Sequence, residues 1–129
     1  MSWSRLSTVL AIAVVALVGA GVMSATRLLS TAQPKRAYVL VQVDVTNAEQ
    51  YAAYIKLAPD IVSKYGGRYL ARGGRTATLE GPAAKSRVVV LDFPSFEAAQ
   101  QFYNSPEYTA ARKVRAGAAT AQWIVVEAM

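Results

Sequence analysis

Apolar and polar residues alternate strictly from Ala37 to Val45. Val39, Val41, Val43 and Val45 fall on one face, and Tyr38, Leu40, Gln42 and Asp44 on the other. A two-residue period of this kind predicts a strand between two different environments. The period then changes. Tyr51, Tyr54, Ile55, Ala58, Val62 and Tyr65 recur at helical spacing and mark the buried stripe of an amphipathic helix, with Lys56, Asp60 and Lys64 on its wet side. Thr46 to Glu49 reads as a capping box, in which the Thr46 hydroxyl caps and Glu49 reaches back. Pro59 removes a hydrogen bond and is expected to kink this helix. Gly66 and Gly67 are expected to end it in a left-handed turn.

Residues 68–72 make a second strand, which 76–80 continues or extends beyond a glycine bend; Gly81 and Pro82 then turn the chain. Arg87 to Phe93 is the third strand, and its run of valines implies burial on both faces. Ser95 caps a following helix whose inner face is Phe96, Ala99 and Tyr103. Ser105, Pro106 and Glu107 restart helical structure to about residue 116, with a cap, a proline at the first position and an acid near the positive end. Gln122 to Glu127 is the last strand. The order β-α-β-β-α-β defines a ferredoxin-like α+β unit with helices on one face of the sheet. Leu40, Val89, Leu91 and Trp123 are the candidates for the uncovered face. A large exposed apolar face implies a partner, and two such sheets packed face to face form a dimeric α+β barrel.

Ahead of this unit the chain is apolar. One basic residue, Arg5, precedes a run of 21 residues from Leu6 to Thr26 with no charge. The layout predicts an N-terminal apolar helix, and residues 1–32 are read as a signal peptide or N-terminal membrane anchor, with 33–129 as the folded domain. A basic start and an apolar run suit a secretory signal, with small residues at 30–32 for cleavage before Gln33 and Met23-Ser24-Ala25 as a second option. The same run is just long enough to span a bilayer core of about 30 Å, although Arg27, Lys35 and Arg36 beyond it disfavour translocating that flank. The protein is therefore expected to be exported, periplasmic or extracellular, or anchored in the cytoplasmic membrane by residues 6–26.

Composition narrows the chemistry. The sequence of 129 residues has no cysteine and no histidine. Disulfides, zinc or haem held by Cys or His, and any Ser-His or Cys-His nucleophile within the chain are excluded. No metal or cofactor is expected. Chemistry would fall to Asp, Glu, Tyr, Lys or Arg. The net charge is +6, and the basic residues are scattered rather than gathered on one face with aromatics between them, so nucleic acid is not an expected partner.

With these elements placed, a resemblance emerges. Tyr38 to Asp44, Tyr51 with Tyr54, Lys64 to Arg68, Leu70 to Arg75, Leu79 to Gly81, Val89 to Ala99 and Tyr103 to Tyr108 together resemble the domain of unknown function 1330 family, a branch of the dimeric α+β barrel superfamily. The likeness spans about residues 37–127. It implies the fold and a homodimer, and no particular activity. Relatives in the superfamily include cofactor-free monooxygenases, isomerases and lyases, with sites between the sheet and its helices. Its haem members use a histidine that this chain lacks.

Tyr51, Tyr54, Arg72, Tyr108 and Arg112 are the candidate ligand-binding residues, for a small anionic or aromatic organic molecule. Tyr51 and Tyr54 bring hydroxyls to an inner face, where they need partners; Tyr108, with Arg112 one turn later, could face a ligand at a pocket mouth or pack at the surface. Arg72 beside Gly73 could reach an anion, or could pair at the sheet edge with Glu80 or Glu127. Gly73 and Gly74 make no phosphate loop, because no helix follows and the Lys-Ser/Thr ending is missing. Asp44 and Asp92, at strand ends, could meet as an acid-base pair or act as caps. Ser105 is accounted for by capping. No catalytic residue is assigned. Binding without catalysis, a cofactor-independent monooxygenase or isomerase, and a pure dimerisation module remain the three readings.

Overall fold

The computed structural model describes residues 32–129. The apolar run 6–26, and with it the signal-or-anchor expectation, lies outside the described residues. Within them Pro34–Met129 forms one compact unit, and no helix is long and apolar enough to cross a membrane. Seven elements follow in order: β1 (Ala37–Val45), α1 (Ala48–Lys64), β2 (Arg68–Arg72), β3 (Arg87–Phe93), α2 (Phe96–Asn104), α3 (Pro106–Val114) and β4 (Ala119–Glu127). The strands form one antiparallel sheet in the order β2-β3-β1-β4. This is the ferredoxin-like arrangement, with α2 and α3 together serving as the second helical region.

The alternation in β1 decides what is buried. Val39, Val41 and Val43 join Leu91, Phe93 and Val89 of β3 beneath Tyr51, Tyr54, Ala58 and Val62 of α1 and Phe102 of α2. Register fixes the rest: Val41 lies opposite Val89 and Trp123, and Val39 opposite Leu91 and Val125. Val89, Leu91 and Trp123 therefore face the helices, contrary to expectation, and of the four residues assigned to the uncovered face only Leu40 belongs there. Its companions are Tyr38, Ile124 and Val126, which are 36–46 % exposed. Val88 and Val90 share that parity and are half-buried, so the valine run of β3 is fully covered on one side only.

Several local readings shift by a residue or two. Asn47 caps α1 instead of Thr46, and its side chain accepts the Gln50 N–H at 3.0 Å. The backbone N–H groups of both Thr46 and Asn47 are tied to the Ala118 carbonyl, which places the helix start after Asn47. α1 ends in a Schellman motif: the Gly67 N–H bonds the Val62 carbonyl and the Gly66 N–H that of Ser63, with Gly66 at φ 79°. Gly67 has no room for a side chain, because a Cβ would press into the Phe93 ring. In α2 the buried positions are Ala99 and Phe102 rather than Phe96 and Tyr103. Ser95 and Ser105 cap α2 and α3 as expected. β4 begins earlier than predicted, at Ala119.

Residues 76–80 are no strand. The β2–β3 ladder gives out after Arg72, where the Gly73 N–H makes a last bond to the Val88 carbonyl, and the chain runs exposed to Ala84.

Candidate functional site

A cavity of about 30 Å³ lies between α1 and the sheet, enough for one or two water molecules. Tyr51, Tyr54 and Ile55 line it from α1, Val41, Val89 and Leu91 form its floor, and Tyr69, Arg72 and Arg87 belong to the same wall. The structure thus brings together Tyr51, Tyr54 and Arg72, three of the five candidates. Tyr108 stands behind them. Its hydroxyl is 2.7 Å from that of Tyr54, and the pair is buried. Arg112 goes elsewhere: its guanidinium stacks on Tyr103 at 4.3 Å and contacts the Thr109 hydroxyl at 3.3 Å.

Arg72 reaches the cavity through two irregularities. Simple alternation from Tyr69, which lies opposite Leu91 on the helix side, would send Arg72 to the open face. The register shifts between Tyr69 and Ala71, so that Arg72 lies opposite Val89 instead. One extra residue in a strand flips every later side chain, and this bulge puts Arg72 on the same side as Tyr69. The second irregularity is Pro59. It cannot donate to the carbonyl four residues back, so the Ile55 carbonyl is left without its helical partner. Arg72 Nη2 takes that carbonyl at 3.2 Å, while the guanidinium stacks over the Tyr69 ring at 4.5 Å. Pairing of Arg72 with Glu80 or Glu127 does not occur.

The phenols hold their protons. Burial pushes the Tyr54 hydroxyl up to about 12, against the opposing pull of its bond to Tyr108 and of the Arg115 charge. Burial, then the neighbouring Tyr54, raises Tyr108 as well. Arg115 lies over the Tyr54 ring at 5.2 Å, and its buried Nε has no hydrogen-bond partner among the described residues. Tyr69 is raised by burial, with Arg72 and Arg87 opposing. At neutral pH the cavity wall therefore offers hydroxyl and guanidinium donors and no carboxylate.

Asp44 and Asp92 do not form an acid-base pair. β1 and β3 are antiparallel, and Asp92 lies opposite Tyr38, six residues from Asp44, or about 20 Å along the strand. Each has a structural task. Asp92 is 1 % exposed and takes a two-point bond from Arg36 at 2.8 Å plus one from Arg68 Nε at 2.7 Å. These bonds, that of Arg36 foremost, hold its carboxyl below the usual range against the opposing effect of burial. Asp44 accepts the Ser86 N–H and the Lys85 ammonium. Glu107 joins α3 to Lys64 and to the Tyr65 hydroxyl.

Arg87 and Arg115 were not singled out from the sequence. Arg115 reads as a helix-end cation and Arg87 as the start of a strand. The signal for Arg87 was Gly73, at φ 65°, where any Cβ would overlap the Arg87 guanidinium.

The fold and this cavity define a ferredoxin-like α+β domain with a small cavity between helix and sheet. The chain belongs to the DUF1330 family, a domain of unknown function, which it matches over residues 36–129. A protein of unknown function from Rhodopseudomonas palustris, RPA0582, is similar at 21% identity, over 83% of this chain and 92% of that one, with a TM-score of 0.61. SnoaB, a cofactor-independent oxygenase from Streptomyces nogalater, shares the fold at 11% identity, over 74% and 94% of the two chains, with a TM-score of 0.54. No curated protein matches the chain.

The hydroxyl pair sets a testable expectation. Tyr54→Phe strands the buried Tyr108 hydroxyl and should cost about 1–3 kcal/mol, whereas Tyr54→Phe with Tyr108→Phe removes both partners and should cost less than the two single changes summed. Tyrosine ionises near 10 in the unfolded chain, so the raised native value stabilises the fold fully below about 10. That contribution is lost as pH rises towards about 12. Denaturant melts of the four proteins and an alkaline absorbance titration would check this; additive losses, or an unchanged late-titrating component in Tyr54→Phe, would contradict it.

Proposed function

We propose that this protein binds a small organic molecule, anionic or aromatic, between α1 and the sheet, as a homodimeric α+β barrel exported or tethered through residues 1–32. The single observation behind the binding role is that Tyr51 and Tyr54 of α1 and Arg72 of β2 line one cavity. Tyr108 and Arg115 support the phenols from behind. A cavity of about 30 Å³ takes only part of an organic molecule, since whole ligands of drug size fill about 300–1,000 Å³. The remainder would lie along the mouth, where Arg72 is exposed.

A second reading, a cofactor-independent monooxygenase or isomerase, draws support from Tyr54. A phenol raised to about 12 keeps its proton at neutral pH and can stabilise a developing oxyanion. The cavity supplies no base beside it, so the substrate would have to be acidic on its own account.

Thermal-shift screening of organic acids, phenols and neutral aromatics should give hits whose shifts shrink in Arg72→Ala and Tyr54→Phe. Equal shifts in wild type and both variants for every hit would sink the binding role, and an absence of hits would leave the barrel as a dimerisation module.

The dimer rests on the uncovered sheet face, where Tyr38, Leu40, Ile124 and Val126 are exposed side by side on paired strands. Leu40→Arg should convert a dimer to a monomer in sedimentation equilibrium; a wild type already monomeric would refute the barrel.

Export or tethering rests on the uncharged run 6–26. N-terminal sequencing of protein recovered from the membrane and soluble fractions should show either an N-terminus at Gln33 or an intact one held in the membrane. An intact chain in the soluble cytoplasmic fraction would rule out both.

A further inference from the structure

The arginines of the cavity wall carry an inference that rests on the binding role just described and names the chemistry of its ligand. The chain has eight acidic side chains, all among the described residues. Asp92 is engaged by Arg36 and Arg68, Asp44 by Lys85 and Glu107 by Lys64. None pairs with Arg72 or Arg87, although both guanidinium groups line the same small space. Two like charges lining one space without a counter-ion repel each other.

The backbone nevertheless holds Arg72 in place and leaves room for Arg87. Arg72 is turned inward by the bulge at Leu70, tied to the carbonyl that Pro59 frees and stacked on Tyr69. Arg87 is seated against Gly73, where only the absence of a side chain leaves it room. The Arg72 guanidinium, fixed this way, has spent part of its side-chain entropy before a ligand arrives.

We propose that Arg72 and Arg87 clamp the carboxylate of an organic monoanion at the mouth of the cavity. The arginine fork matches a planar carboxylate in two-point geometry. A tetrahedral phosphate fits less well. The space is about 30 Å³, and the helix N-termini that commonly receive phosphate are already occupied here, by the Asn47 side chain on α1 and by Ser105 on α3. Tyr69 and Tyr51 flank the position where the attached ring or chain would leave.

Calorimetric titration of the full-length chain with benzoate, benzamide and inorganic phosphate tests this. Benzoate should bind, benzamide should bind at least about tenfold more weakly, and phosphate should not displace benzoate. Arg72→Gln and Arg87→Gln should each weaken benzoate about tenfold or more, and Lys56→Gln, which removes an exposed charge of α1, should leave it unchanged. Gly73→Ala keeps every charge yet displaces the Arg87 guanidinium, and should weaken benzoate as Arg87→Gln does. Arg87→Lys serves if the glutamine variant fails to fold, with an intermediate loss expected. Benzoate affinity that is indifferent to both arginines, or that falls equally in Lys56→Gln, overturns the clamp. Displacement by phosphate overturns the carboxylate assignment. Benzoate and benzamide binding equally, with loss in Tyr54→Phe, overturns the clamp while leaving the pocket standing; no binding of either compound sinks the clamp, and a blank ligand screen alongside it sinks the pocket as well.

Discussion

Everything in this domain depends on the two-residue period of a sheet covered by helices on one side only. β1 is the central constraint, because it pairs with β3 along one edge and β4 along the other. Once Val39, Val41 and Val43 turn toward α1, antiparallel register obliges Val89, Leu91, Trp123 and Val125 to follow. The same rule leaves Tyr38, Leu40, Ile124 and Val126 on the side with no helix. The core beneath the helices and the apolar face opposite are therefore one fact with two consequences. Burial of the first set supplies the hydrophobic drive for folding; the second set remains as the surface a partner would cover.

That dependence also explains what could be read from the sequence. The alternation of β1, the tyrosine stripe of α1, the glycine pair that ends it and the serine caps of α2 and α3 are local signals, and each was legible without tertiary information. The face taken by Val89, Leu91 and Trp123 was not, because an unbroken apolar run carries no alternation and only pairing with β1 assigns its parity. The start of α1 was misplaced by one residue because Thr46 and Asn47 are both able caps. The Ala118 carbonyl, some seventy residues away in the chain, settles it in favour of Asn47. Residues 76–80 have strand-like composition but no neighbour to pair with, and composition cannot show that.

The site divides along the same line. Tyr51 and Tyr54 were visible as inward-facing phenols, since helical spacing fixes direction; Tyr108, on a short helix with no clear stripe, was not, and it is fully buried. The hydroxyl pair between Tyr54 and Tyr108 was not visible, because it joins separate helices. Asp92 illustrates the opposite case. Its position at a strand end suggested chemistry, yet the two-point bond from Arg36 and the bond from Arg68 use its acceptors as a structural tie. Arg36 and Arg68 are thereby neutralised in part, whereas Arg72 and Arg87 of the cavity wall pair with no acidic side chain.

Three departures from regular backbone meet at the cavity. A proline inside a helix costs about 3 kcal/mol, a bulge gives up ladder pairing, and a left-handed residue is open in practice to glycine. Elsewhere in the molecule positive-φ glycines end a helix or turn an exposed loop. Here Pro59 frees the carbonyl that holds Arg72, the bulge aims Arg72 at that carbonyl, and Gly73 makes space for Arg87. None of the three improves the core, and removing any one of them would move a guanidinium. Local rules broken together at one place are expected at functional or strained sites, and that expectation is what the proposed binding role draws on. Residues 72–75 thus shape the cavity wall directly through Arg72 and, by way of Gly73, through Arg87, fifteen positions beyond Arg72.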